Sequence, residues 1–291
     1  MVSGALLLQP SKVDEPIGVF LKKRFARVGA AFVFWSIIYF LWSYYAQHTP
    51  LTFYSVTQAL LQGGAYYQFW FIYAIMGIYL LTPVLRMVIK NSKRDILRYL
   101  LFLWVAATFV PPLVHLATGL AIDNTLMVLS GYVGYFVLGV YLMNVKIKTR
   151  TLVAILAIGI ILTFFGLLVM QGPFSYLGEY YFFDGYKSFT VLLSSVAAFL
   201  LLSKVRYDWP GPTKPWLGGL VHTIGENTLP IFFMHVIIVQ LLNYGTFGFQ
   251  ISLTSMSPLI EIPLATVLTL IICLTLILPL KKVPLLAKLI G

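Results

Sequence analysis

The sequence predicts an all-α protein, a polytopic transmembrane helical bundle, on three observations. Of 291 residues, 60% are hydrophobic and only 10% are charged, against about 25% charged in a soluble domain. Mean hydropathy is +0.91. The apolar residues gather into eight segments, at 28–46, 67–89, 99–118, 125–143, 151–170, 187–203, 228–244 and 260–280. Their lengths lie near the roughly 20 residues that carry a helix across a bilayer. No internal repeat or low-complexity linker interrupts them, so residues 1–291 read as a single membrane domain.

The loops support each span in turn. Lys12, Lys22, Lys23, Arg24 and Arg27 precede the first span, and loop 47–66 after it has no Lys or Arg. Arg86, Lys90, Lys93, Arg94 and Arg98 follow the second span, and loop 119–124 after the third has no basic residue. Lys146, Lys148 and Arg150 follow the fourth, and only Lys187 follows the fifth. Lys204, Arg206 and Lys214 follow the sixth, loop 245–259 has none, and Lys281, Lys282 and Lys288 lie in the tail. Every basic residue except Lys187 thus falls on alternate loops, the pattern of the positive-inside rule for eight spans with both termini cytoplasmic. The net charge of +11 is a topology signal. It implies membrane lipid as a partner and not nucleic acid.

The opening MVSGALLL is apolar but too short to cross. It reads as the inner end of a further helix, an N-terminal remnant. A helix arriving from outside needs one before it, so the topology expects two segments upstream.

Chemistry must come from scattered polar groups. The sequence has no phosphate-binding glycine loop, no HExxH pair and no GxSxG elbow. Its single cysteine, Cys273, excludes a multi-cysteine metal site, and no metal is expected. The richest stretch is LKKRFARVGAAFVFW at 21–35, with Lys22, Lys23, Arg24 and Arg27 just before the apolar run. Arg24 and Arg27 are three apart and share a helix face. They suit the phosphates of a nucleotide-type ligand, or equally an anchor beside acidic lipid.

Tyr44, Tyr45, Tyr66, Tyr67, Trp70, Tyr180 and Tyr181 flank the outer ends of spans, beside the acidic Asp123, Glu179, Asp184 and Glu261. Such a face could receive a sugar, or form an ordinary aromatic belt. His235 lies within the seventh span, where an ionisable residue points to function. It could instead donate to a carbonyl of a neighbouring helix. Pro83 and Pro230 can break or kink their helices. Gln68, Asn144, Ser194, Ser195, Gln240 and Asn243 suit hydrogen bonds between helices.

Seven stretches, taken together and in order, resemble the integral-membrane acyltransferase-3 family. They are MVSGALLL at 1–8, FLKKRFARVGAAFVFW at 20–35, YYQFWFIYAIMGIYLLTPVLR at 66–86, GYVGYFVLGVYL at 131–142, FDGYKSFTVLLSSVAAFLLL at 183–202, IGENTLPIFFMHVIIV at 224–239 and KKVPLLAKLIG at 281–291. Members typically O-acetylate surface polysaccharides and related cell-envelope glycans. The resemblance implies a bacterial cytoplasmic-membrane enzyme with acyl-CoA, acetyl-CoA by default, as cytoplasmic co-substrate, no permanently bound cofactor, and a glycan acceptor on the outer side. Arg24-Phe25-Ala26-Arg27 matches the family's (R/K)xxR motif, which implies that Lys23, Arg24 and Arg27 bind the acyl-CoA. Tyr67, Trp70 and His235 are the residues expected at the acceptor, His235 matching the family's late IYLIH-like stretch without a catalytic role assigned to it.

One departure stands out. The family's first helix carries an arginine and then a histidine, the expected general base, and nothing in these residues matches that pair. The family's second helix usually ends FFMxSGxLL, and this chain opens at the matching methionine, Met1-Val2-Ser3-Gly4. The expectation is a chain shortened by the first helix and most of the second, and nearly inactive without them. A transporter or flippase of lipid-linked glycans is the alternative. That class favours paired broken helices bearing intramembrane charge, and the eight spans are nearly free of charge.

Overall fold

The computed structural model describes residues 1–118, 120, 131–170, 188–205, 215–252 and 257–291. Among these residues it is helical, with no strand. The helices are α1 (Val2–Leu7), α2 (Ile17–Gln47), α3 (Phe53–Leu61), α4 (Trp70–Asn91), α5 (Arg94–Thr118) and α6 (Tyr132–Leu142). They continue as α7 (Thr149–Met170), α8 (Phe189–Ser203), α9 (Pro215–Glu226), α10 (Thr228–Asn243), α11 (Pro258–Leu280) and α12 (Pro284–Ile290). The all-α class expected from the composition is the one observed.

Among the described residues, five helical stretches are long and apolar enough to cross a membrane: α2, α4 with the 3-10 turn before it, α5, α7 and α11. The pair α9 and α10, bent by 82° at Asn227, makes a sixth if taken as one broken span. Helices α6 and α8 are apolar but have 11 and 15 residues, or roughly 17 and 23 Å of rise. The expected spans 125–143 and 187–203 that contain them reach outside the described residues at 125–130 and 187. Asp123, Glu179, Tyr180, Tyr181, Asp184, Arg206 and Lys214 also lie outside them.

Helix α2 starts eleven residues before the apolar run, directly after Pro16, so the whole basic stretch is helical. Its 31 residues extend roughly 46 Å, against about 30 Å of hydrocarbon. The N-terminal turns bearing Lys22 to Arg27 therefore belong at a membrane surface.

Chain contacts divide into two compact units, Met1–Ile17 with Gly77–Tyr207, and Gly18–Met76 with Asp208–Gly291. In the first, α1 lies against α6 with its backbone almost touching. A Cβ on Gly4 would overlap the carbonyl of Phe136, and one on Gly139 would overlap the carbonyl of Met1. Small residues on both faces permit this approach, as they do between membrane helices generally. Arg86 closes the same corner. Its Nε donates to the Leu7 carbonyl at 2.7 Å and its Nη1 to Glu15 Oε2 at 3.0 Å, with the guanidinium only 2% exposed. The short link between α1 and α2 is thus held by a charge from the end of TPVLR. Helices α7 and α8 meet at Gly159, whose missing Cβ leaves room for Ser194, and Thr163 bonds across to Thr190 at 2.8 Å. Trp104 fills the space over Gly134 and donates to the Gly131 carbonyl at 3.0 Å.

The second unit holds α2, α3, the start of α4, and α9 to α12. Its core is aromatic. Trp35 stacks on Phe233 at 5.9 Å, and Phe69 packs against both Phe233 and Tyr39 at 5.3 Å.

Candidate functional site

Trp35, Tyr39 and Trp42 recur at i, i+4 and i+7, so one stripe of α2 carries three rings, each with one polar hydrogen. Each hydrogen finds an acceptor. Trp35 donates to the Ile290 carbonyl at 3.3 Å, Tyr39 to the Phe233 carbonyl at 2.6 Å, and Trp42 to Gln240 Oε1 at 2.6 Å. The stripe thereby fixes α2 against α10 and α12 within this unit.

The cationic end of α2 sits below that stripe. Lys22, Lys23 and Arg27 are exposed. Arg24 is half-buried, with its guanidinium 5.6 Å over the buried ring of Phe20 and its Nε unpaired. Lys281, just past α11, donates from Nζ to the Glu226 carbonyl at 3.4 Å. Partial burial, and then the positive charge of Arg27 nearby, lower its ammonium pKa, with Glu226 opposing. Two cations held close enough to perturb each other form a ready anion site. Helix α10 begins beside it. Its N-cap residue, Asn227, makes no side-chain cap, and Pro230 has no N–H. The C-terminus of α9 and the N-terminus of α10 meet there, so their dipole ends oppose each other and the charge of the site is that of its side chains. The exposed Glu226 carboxylate is 3.5 Å from His222 Nδ1, one turn back on α9, and is the one negative group of the cluster that these contacts place.

The residues expected at an acceptor are dispersed. Tyr67 is 70% exposed and Trp70 47% exposed. Tyr67 lies beside Tyr66, with ring centroids 5.4 Å apart, and Trp70 beside Phe71 at 6.0 Å. His235 is half-buried in α10, and its Nδ1 lies 2.6 Å from the Phe232 carbonyl. The carbonyl it satisfies is therefore on its own helix, one turn back, not on a neighbouring one. A ring that donates from Nδ1 leaves Nε2 with a free lone pair.

The structure assembles a different polar group at that end of the unit. Gln240 Nε2 donates to the Tyr66 hydroxyl, and Gln47 Nε2 donates to the same oxygen at 2.7 Å. The Tyr39 and Tyr66 rings are 5.0 Å apart. Gln240 thus joins α2, α10 and the segment before α4, the interhelical bonding expected of it. Lys281, Tyr39 and Trp42 were not distinguishable by residue type. In the sequence Lys281 is one more tail cation, and the signal for the others is the i, i+4, i+7 aromatic spacing on α2.

Helices of spanning length, an aromatic core and a cation cluster at the end of the longest one define an integral membrane protein. The chain matches the Acyltransferase domain family over residues 1–278 and belongs to it. No curated protein and no solved structure matches it.

Proposed function

We propose that the chain is a membrane O-acyltransferase that moves an acyl group, acetyl in the simplest case, from cytoplasmic acyl-CoA to a hydroxyl of a cell-envelope glycan in the bacterial cytoplasmic membrane. The observation that carries this reading is the grouping of Arg27 and Lys281 beside the start of α10. Acyl-CoA carries several phosphate charges on a long neutral arm. The cations would hold the phosphates, with Arg24 a turn away on α2 and Lys23 beside it. The thioester arm would then extend toward the interior of the unit. Transfer needs a base to take the acceptor hydroxyl's proton, attack of the oxygen on the thioester carbonyl, and departure of CoA thiolate. Membership of the acyltransferase family supports the reaction class. The donor, the acyl chain and the acceptor are this reading's own.

Equilibrium binding of radiolabelled acetyl-CoA to the purified chain in nanodiscs tests it. We expect saturable binding that Arg27→Ala weakens about tenfold, the scale of one charge-assisted hydrogen bond lost. Free CoA should compete. Rising salt should weaken binding less steeply in Arg27→Ala than in the wild type. Absence of saturable acetyl-CoA binding, or binding that Arg24→Ala, Arg27→Ala and Lys281→Met all leave unchanged, overturns the reading.

A further inference from the structure

Helix α11 ends at Leu280, and the chain then reverses over Lys281, Lys282 and Val283. Their amides donate back to the carbonyls of Ile277, Pro279 and Leu280 at 2.9, 3.0 and 3.2 Å. Pro284 opens α12, where its missing N–H costs nothing. Lys281 lies beside Arg27, so the reversal sits level with the cationic end of α2, and α12 runs back along α2 from there. Its last residue, Ile290, is 1% exposed, and the Ile290 carbonyl accepts from Trp35 Nε1 at 3.3 Å. A Cβ on Gly291 would lie 3.5 Å from Ala31 Cβ and 2.8 Å from Leu229 Cδ2. The 7 residues of α12 climb roughly 10 Å, and Ala31 and Trp35 stand roughly 6 and 12 Å along α2 from Arg27. The lengths and the contacts agree.

Arg27, Ala31 and Trp35 recur at intervals of four and share one face of α2. The end of α12 covers that face directly inward of the Arg27–Lys281 pair, with Leu229 in the first turn of α10 also against it. A neutral arm trailing inward from phosphates at that pair would run along this face and meet Ile290. The hold on α12 is slight. Val283, Leu285 and Lys288 are exposed, and so short a helix is not stable alone. Its buried tip is what keeps it in place. The family match ends at residue 278, before this helix begins.

We infer that α12 is an autoinhibitory plug, whose tip at Ile290 closes the inward path from the Arg27–Lys281 pair and must swing out for a ligand's neutral arm to enter. A tip that is docked most of the time lowers the apparent affinity to the fraction of molecules in which it is out. Identification of the arm as that of acyl-CoA rests on the acyltransferase reading, but the docking and release of the tip do not. A helix that only clasps α2 to α10 predicts the opposite, because loosening a clasp spoils the site and does not open it. The sign of the affinity change separates the two.

Two readouts on the full chain in nanodiscs test this, acetyl-CoA binding and thiol labelling. Ile290→Asp puts an unpaired carboxylate in the buried seat and expels the tip. We expect it to bind acetyl-CoA about tenfold tighter than the wild type. Ala31→Cys with Gly291→Cys brings two thiols within disulfide reach. The oxidised pair should bind acetyl-CoA about tenfold more weakly than the same sample after reduction. This reversible pair carries the test should Ile290→Asp fail to fold. Ala31→Cys alone reports exposure of the seat to a small water-soluble methanethiosulfonate, against the buried native Cys273. Labelling should quicken about tenfold when Ile290→Asp is added. Acetyl-CoA affinity unchanged or weakened in Ile290→Asp overturns the plug. So does equal binding by the oxidised and reduced pair, unchanged labelling, or failure of the pair to cross-link. If acetyl-CoA binds every form alike, the plug falls and the acyltransferase reading stands. If labelling quickens and acetyl-CoA binds no form, the release of the tip stands and that reading falls.

Discussion

Arg27 and Lys281 carry like charges that folding brings together, and the repulsion falls on the group that can lose a proton. The Lys281 ammonium, partly buried, is held below its ordinary 10.5. Its folded pKa is therefore lower than its unfolded one. Between those two values the unfolded chain binds the proton and the folded chain does not, so stability rises with pH across that window. A polyanion reverses the preference by favouring the charged form. Acetyl-CoA affinity should then fall as pH rises toward the ordinary lysine range, earlier than an ordinary lysine would produce. Isothermal titration at several pH values checks this. Binding should be accompanied by proton uptake that varies with buffer ionisation enthalpy. In Lys281→Met both the pH dependence and the uptake should shrink, and affinity should drop to the wild type's high-pH value.

At the scale of the element, the approach of α1 to α6 depends on two missing methyl groups. Gly139→Val places atoms where the Met1 carbonyl lies, and Gly4→Val does so against Phe136. Overpacking of this kind costs about 1–3 kcal/mol, so thermal melts in detergent should drop for each. Gly29→Ala is the control, because no atom lies near its absent Cβ, and it should leave the melt unchanged. Much of the helix pattern was legible in the sequence, because apolar length and basic flanks act locally. The spans 151–170 and 260–280 match α7 and α11 to within two residues. The early start of α2 was less legible, since charged residues at a helix end look like a loop when only hydropathy is weighed. The 82° bend at Asn227 was legible only as Pro230. The Arg24–Arg27 pair could be read from its spacing. Lys281 could not, because its place beside Arg27 is created by packing over more than 250 residues of chain. Tyr66 is visible in the sequence as an aromatic residue, but a phenol that accepts from both Gln240 and Gln47 exists only once the turn is folded.

For the whole molecule, charge sets the orientation. The bare loop 47–66 and the basic loop 86–98 should face opposite sides of the bilayer. The native Cys273 is buried, so introduced cysteines can be read against a low background. Gln62→Cys should react with an impermeant maleimide on intact cells. Ser92→Cys should react only after the membrane is opened. Labelling of both from the same side would contradict the positive-inside assignment. The glycine contact also has a bearing on biogenesis. The face of α1 that carries Gly4 rests on the backbone of Phe136, 132 residues further along. At synthesis rates of about 5–20 residues per second, that partner emerges roughly 7–26 seconds later. Until then the small-residue face is exposed to lipid or to whatever insertase escorts it. A ribosome paused before α6 would lengthen that interval, and a substitution at Gly139 would extend it indefinitely.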